Sequence, residues 1–280
     1  EADVLASTKR MEDHYIEWKE STFPGLLGNV VAGRIANRLD LGGSNFVTDA
    51  ACASSLSALQ IALHELRAGD SDTVLAGGVD ALNDILMYMC FSKTPALSPT
   101  GDCRPFSMEA DGTMLGEGVG ILALRRLSDA ERDGNIIHAV IRGIGGGSDG
   151  KGTAIYTPLP SGQARAIERA YVQAGYGPET VDLVEAHGTG TKAGDKAELA
   201  GLHLVFDGKG NDDGEPWCAV GSVKSQIGHA KAAAGAASLI KAVQALSRKT
   251  LPPTIKIGEP ADVLKDSKSF YLNSESRPWI

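Results

Sequence analysis

The 280-residue chain has no surplus of positive charge: 27 Lys and Arg stand against 35 Asp and Glu, a formal net charge of −8. No basic block interrupts that balance, which excludes an electrostatic nucleic-acid surface. Long apolar runs are missing too, so neither a secretory leader nor a membrane span is expected. The cysteines are few (Cys52, Cys90, Cys103 and Cys218) and show neither C-x-x-C pairing nor zinc-ligand spacing. That excludes a disulfide scaffold and points to a reduced compartment, the cytoplasm. Aromatics make up only 5%, whereas 34 glycines suit an α/β protein with many tight strand–helix turns. A hydrophobic content of 42% allows a sizeable core, as one large domain or two fused halves. The sequence starts at Glu1 rather than Met, the mark of a segment of something larger.

Strand–helix order is read in both parts of the chain. In the first, Tyr15 and Trp18 are taken as packing anchors and Leu26–Leu39 as a helix. Asn45–Thr48 reads as a strand, followed by a helix with Leu56, Leu59, Leu63 and Leu66 at helical spacing and Gly69 as its stop. Thr73–Ala76 is a second strand closing at Gly77-Gly78, and this β-α-β order implies a parallel sheet. Ile85–Phe91 is the most apolar patch; it reads as core, or as a tunnel wall or subunit interface rich in adaptable Met. Residues 95–118 form a long irregular loop before the strand Val119–Leu124. In the second part, Ile137–Ile144, Val181–Ala186 and Trp217–Val223 read as strands. Ser161–Ala174 is a Ser-capped helix, Asp195–Glu198 a capping-box start, and Ala230–Arg248 an Ala-rich helix before Pro252-Pro253. The pattern is two related halves, 1–135 and 136–280.

Chemistry concentrates at three places. Cys52, in Thr48-Asp49-Ala50-Ala51-Cys52-Ala53-Ser54-Ser55, lies where a helix begins. Free N–H groups and the macrodipole there favour an anion and lower a thiol's pKa, giving a usable nucleophile. The bland reading is a buried cysteine acting as a small hydrophobe. Of six histidines, His14, His64, His138 and His203 have ordinary surroundings and are assigned to structure. His187 and His229 each follow a strand within a Gly-containing loop, where parallel sheets place their sites. They lack short metal-ligand spacing and an evident acidic third ligand, so a nucleophile with two histidine donors fits better than a metal. Gly145-Gly146-Gly147-Ser148-Asp149-Gly150 matches G-x-G-x-x-G, but no helix opens after it, and it reads as a turn.

Asp49–Ser55, Glu185-Ala186-His187-Gly188-Thr189-Gly190-Thr191 and Gly221-Ser222-Val223-Lys224-Ser225-Gln226-Ile227-Gly228-His229 together resemble the three signature segments of β-ketoacyl synthases, in order and spacing. Met87–Pro95 and Gln226 look most like the ketosynthase of polyunsaturated fatty acid synthases; modular polyketide synthases usually carry Asn at the latter place. The resemblance implies the thiolase-like fold, a duplicated α/β layered sandwich (α-β-α-β-α) working as a dimer, here truncated at both ends. It implies that Cys52 carries an acyl chain as a thioester. His187 and His229 then stabilise the enolate left when a malonyl thioester loses CO2. Lys224 and Glu198 match supporting positions, and Lys224 is expected to keep the histidines neutral, since a nearby cation disfavours imidazolium. Thr189 and Thr191 match residues contacting the phosphopantetheine arm of an acyl carrier protein. No directly bound cofactor or metal is implied, and the parent is expected to be a multidomain synthase.

Family members continue past the equivalent of Ile280 into a glycine-rich, Phe-containing gating loop that donates the second oxyanion-hole N–H. The isolated segment is therefore expected to condense poorly. Two other readings compete. A CoA-dependent thiolase-like acyltransferase normally has one of these histidines and a second cysteine as base. A chain-length-factor-like partner subunit lacks the nucleophile, so Cys52 argues against it.

Overall fold

A computed structural model describes residues 5–6, 9, 19–152, 154, 157–210 and 214–280. His14, Tyr15 and Trp18 lie outside the described residues. The chain divides into two compact units, Glu1–Thr48 and Asp49–Ile280.

In the first unit the expected helix over Leu26–Leu39 is broken in two. A short turn of helix, Phe23–Leu26, starts with Pro24 in its first turn, where the missing N–H costs nothing. Leu27 then turns extended, and helix α1 runs over Val30–Arg38. Gly33 does not mark a close backbone approach: an added Cβ would meet only the Asn45 Oδ1 at 3.5 Å. Asn45–Thr48 forms no strand. A strand exists through its partner's hydrogen bonds, and this segment has none among the described residues.

The second unit begins with the nucleophile turn and helix α2 (Ser54–Ala68), which ends at Gly69 with φ +83° as expected. Leu59 and Leu66 of its apolar stripe are buried. Strand β1 (Thr73–Asp80) does not close at Gly77-Gly78 but runs through them. It pairs along its whole length, antiparallel, with β2 (Gly118–Arg125). The expected parallel sheet is thus absent here among the described residues. The two glycines are needed for closeness rather than for a turn. A Cβ at Gly77 would lie 1.9 Å from the Gly120 carbonyl oxygen, and one at Gly78 2.5 Å from that of Ala232.

Helix α3 (Ile85–Lys93) is capped by Asp84, whose carboxylate accepts the Met87 N–H at 2.8 Å. Its apolar residues are not core: Ile85, Leu86 and Met89 are 78%, 66% and 56% exposed. Ile137–Ile144, expected as a strand, has no ladder partner among the described residues. It lies instead against helix α4 (Pro160–Ala174), so close that a Cβ at Gly143 would be 2.2 Å from the Ala170 carbonyl oxygen. Helix α4 starts one residue earlier than expected, with Pro160 at its first position and no Ser161 cap.

The parallel sheet predicted for an α/β chain does occur here. Strands β3 (Leu183–Glu185) and β6 (Phe270–Leu272) flank β4 (Cys218–Gly221), both parallel to it. Both β3 and β4 are shorter than the sequence pattern indicated. Every residue of β4 is buried, and its Cys218 and Val220 share the core with Phe106, Leu199, Leu202, Phe206 and Phe270. Helix α5 (Lys192–Phe206) packs on α4 and supplies Leu199, Leu202 and Phe206. It begins at the Thr191 cap, not at Asp195, which is already inside the first turn. A 3-10 turn, Lys231–Ala233, leads into helix α6 (Ala234–Arg248). Strands β5 (Thr250–Leu251) and β7 (Arg277–Pro278), separated in the chain by β6, pair antiparallel as a small two-stranded sheet.

Candidate active site

Cys52 sits in a 3-10 turn, Ala51–Ala53, that runs directly into the N-terminal end of α2. Two side chains shape the turn. Asp49 Oδ1 accepts the Ala51 N–H at 2.8 Å, and the Ser54 hydroxyl donates to the Ala51 carbonyl at 2.7 Å while accepting the Ala50 N–H at 2.9 Å. They hold Ala51 at φ +50°, a left-handed conformation that costs an Ala about 1–2 kcal/mol. The expectation of a lowered thiol pKa needs correction. Burial pushes the Cys52 thiol up and outweighs the downward pull of Lys224, of its own backbone hydrogen bond and of Lys231; Asp80 adds to the rise.

His187 follows β3, whose ladder is extended by the Ala186 N–H donating to the Gly221 carbonyl at 2.8 Å. From α5, Glu198 reaches back and accepts the N–H groups of His187 (2.6 Å) and Gly188 (2.8 Å). Lys224, 1% exposed, donates its ammonium to the His187 carbonyl at 2.5 Å and lies 3.5 Å from His187 Nδ1. Burial and then Lys224 lower the His187 pKa to about 4. His187 is an exposed residue, so solvent screens part of this effect.

His229 is 3% exposed and pinned by its backbone: its N–H donates to the Met114 carbonyl at 2.6 Å, and its carbonyl accepts the Gly116 N–H at 3.0 Å. Its Nδ1 accepts the Lys231 N–H at 2.9 Å. Burial, then Lys224, His187 and Lys231, lower its pKa to about 3.

The structure brings the three sequence-derived residues together. The thiol of Cys52 and one ring nitrogen from each of His187 and His229 all lie within 4.8 Å of one another, and the two rings meet edge to face at 5.3 Å. A thiol with two imidazoles is also a zinc donor set. The surroundings argue otherwise. A metal-bound His gives its far N–H to an acceptor, whereas here both Nδ1 atoms face donors, the Lys231 N–H and the Lys224 ammonium. The tautomer assigned from those partners leaves the proton on Nε2 of each ring. The pocket therefore offers two N–H donors beside a thiol.

Thr189 and Thr191 occupy the loop beyond His187, their hydroxyls 2.9 Å apart. Thr191 also caps α5, its Oγ1 accepting the Gly194 N–H at 3.3 Å. If Thr191 donates to Thr189, the Thr189 O–H is free for a ligand.

Four contributors were given no site role by the sequence reading. Asp195 is 4% exposed and accepts the N–H groups of Phe106 (2.8 Å) and Gly190 (3.1 Å), fastening the 95–118 loop to the histidine loop. Burial raises its pKa to about 7. Asp49, Ser54 and Lys231 act through turns that no spacing rule reveals. The one available signal was the position of Lys231, two residues from His229.

Comparison with known proteins agrees with this geometry. The family model described as Beta-ketoacyl synthase, N-terminal domain, matches residues 3–130, and the one described as Beta-ketoacyl synthase, C-terminal domain, matches residues 138–258. The chain is 46% identical over its whole length to a component of the polyunsaturated fatty acid synthase of Thraustochytrium sp., spanning 10% of that protein. It is 42% identical over 91% of its length to polyketide synthase GfsA of Streptomyces halstedii, spanning 3% of it. Among solved structures, the ketosynthase from module 6 of the bacillaene synthase of Bacillus subtilis 168 superposes with a TM-score of 0.86 at 39% identity. That match covers 91% of this chain and 45% of the other. The chain thus spans a small part of its curated relatives and under half of a ketosynthase domain, and its fold is the thiolase-like fold of those domains. With Cys52, His187 and His229 converging on one point, and with both halves of the family signature present, this chain belongs to the β-ketoacyl synthase family.

Proposed function

We propose that the chain is part of a ketosynthase performing decarboxylative Claisen condensation on carrier-bound acyl chains. The observation that carries this reading is the convergence of Cys52 with two imidazoles whose Nδ1 atoms both face donors. In the first step the Cys52 sulfur attacks an acyl thioester. The acyl–sulfur bond to the carrier breaks, a new one to Sγ forms, and the thiol proton leaves with the departing carrier thiol. The exchange is nearly isoenergetic and needs no ATP.

A malonyl thioester then binds with its carbonyl oxygen facing the two Nε2–H groups. Cleavage of the carboxyl carbon–carbon bond releases CO2 and leaves its electron pair in an enolate. Two donors aimed at that oxygen in a partly dry site stabilise it by about 3 kcal/mol or more, the scale of an oxyanion-hole donor. The enolate carbon attacks the Cys52 thioester, and the sulfur leaves as thiolate. Neutral histidines are required throughout, and burial with Lys224 keeps them so. Glu198 and Lys224 act as positioning residues for the His187 loop.

The substrates ride on the phosphopantetheine arm of an acyl carrier protein, with Thr189 and Thr191 beside the arm. The parent is read as a multidomain fatty acid or polyketide synthase, a reading its similarity to such synthases supports, with the polyunsaturated fatty acid type favoured by the 46% identity over the whole chain. The setting is read as cytoplasmic from the few cysteines without C-x-x-C pairing. The exposed apolar face of α3 is the surface through which two copies pair. The chain is read as two functional halves, 1–135 with the nucleophile and 136–280 with the histidines.

The test is mass-spectrometric. Incubation with an acyl-N-acetylcysteamine thioester is expected to add one acyl group at Cys52, absent in Cys52→Ala. Substituting His229 by Ala is expected to slow malonyl-thioester decarboxylation by at least about 100-fold while loading of Cys52 changes little. Loss of loading alone would overturn the assigned roles.

A further inference from the structure

Lys231 is a charged residue beside the reaction centre that the chemistry above does not use as a charge. Its side chain is 9% exposed, and its ammonium is met by Asp80 Oδ1 at 3.0 Å, Asn83 Oδ1 at 2.5 Å and the Gly116 carbonyl at 3.1 Å. Its backbone holds φ +45°, a conformation rare for a residue with a Cβ. A closed ring of contacts keeps it there. The Gly116 N–H donates to the His229 carbonyl, the Lys231 N–H donates to His229 Nδ1, and the Lys231 ammonium returns to the Gly116 carbonyl. Strain of this kind persists only where surrounding contacts over-determine it.

We propose that Lys231, with Asp80 as its counter-charge, is a positioning residue that fixes the His229 tautomer through its backbone and sets the thiolate fraction of Cys52 through its ammonium. The inference rests on the reading of Cys52 as the acyl-accepting nucleophile. The charged groups acting on the thiol come from three elements. Lys224 follows β4, Lys231 precedes α6, and Asp80 ends β1. The remaining neighbours, His187 and His229, are held neutral. The Lys231–Ala233 turn packs directly against the Ala51–Ala53 turn that carries Cys52, and β1 packs on the Lys231–Ala233 turn too. From these places both lysines favour the thiolate, and Asp80 disfavours it. Asp80 and Lys231 therefore form a balanced pair: removing one member exposes the Cys52 sulfur to the other.

That balance gives a test that a merely structural role fails. The probe is iodoacetamide, with alkylation of Cys52 followed by mass spectrometry from pH 6 to 10. Lys231→Met is expected to slow alkylation at pH 8 by about 3- to 10-fold, because loss of the cation leaves a smaller thiolate fraction. Asp80→Asn is expected to speed it by about 3-fold, and Lys231→Arg to keep it within about 2-fold of the native rate. Shifts of the same sign in Lys231→Met and Asp80→Asn, or none in either, overturn the proposal. Should Lys231→Met fail to fold, Asp80→Asn decides alone, and an unchanged or slower rate there overturns it. Failure of acyl loading at Cys52 with these opposite shifts intact would count against the condensation reading instead.

Discussion

The Lys224 ammonium touches His187 twice, donating to its carbonyl oxygen at 2.5 Å and standing 3.5 Å from Nδ1. One buried cation thereby fixes the position of the ring and disfavours its protonation. In the proposed mechanism the competent form is the neutral one, favoured because burial and Lys224 lower both pKa values. Lys224→Met raises both values. The acid limb of the decarboxylation profile is expected to move up by about one pH unit, measured as CO2 release from a malonyl thioester. An acid limb that stays in place would refute the electrostatic part of this role.

Asp195 tests the buried acid beneath the loop. Its folded pKa, about 7, lies above the ordinary 3.8, so the folded chain holds this proton more tightly than the unfolded chain. Its contribution to stability is full below 3.8 and is lost as pH rises through about 7. The two histidines work in the opposite sense, losing stability as pH falls below 6.5, but they cancel in a comparison with a variant. The unfolding free energy of the native chain relative to Asp195→Asn is expected to grow by about 1–2 kcal/mol between pH 7 and pH 5. Urea titrations at the two pH values measure it, and a constant difference contradicts the assignment.

The two threonines should separate by readout. Thr191→Val removes the cap of α5 and is expected to cost about 1 kcal/mol of stability, seen as a lower Tm. Thr189→Val leaves the cap in place. Its expected effect is a severalfold higher KM for carrier-bound thioester at nearly native Tm. If Thr189→Val instead lowers Tm as much as Thr191→Val, the pantetheine role loses its support.

Helix α3 carries the surface prediction. Ile85, Leu86 and Met89 project an apolar face that water does not favour. Leu86→Glu with Met89→Glu is expected to weaken self-association at least about tenfold in sedimentation velocity, with the unfolding midpoint little changed. Loss of folding rather than of association would return this segment to the core.

Local pattern was informative where residues speak through their neighbours in sequence. The leucines of α2 and the stop at Gly69 were readable because a helix is closed by local hydrogen bonds. The three motif segments were readable because chemistry demands those residue types. Strands were the weak point: Asn45–Thr48 and Ile137–Ile144 have strand-like composition but no ladder partner among the described residues. Glycine misled for a related reason. Gly77 and Gly78 resemble a turn, yet they serve a close approach to Gly120 and Ala232 that sequence spacing does not encode.

By itself, the sequence determined which groups are available: one thiol at a helix start, two loop histidines, a lysine and a glutamate in the right order. Tertiary structure alone decided their states. It pushed the Cys52 thiol up by burial, against the pull that a helix start implies. It turned His187 and His229 into Nε2–H donors by placing Lys224 and the Lys231 N–H on their far sides. It also set Asp80 against Lys231 across 151 positions of chain. Protonation depends on burial and on charges close in space, and those distances exist only once the chain has folded.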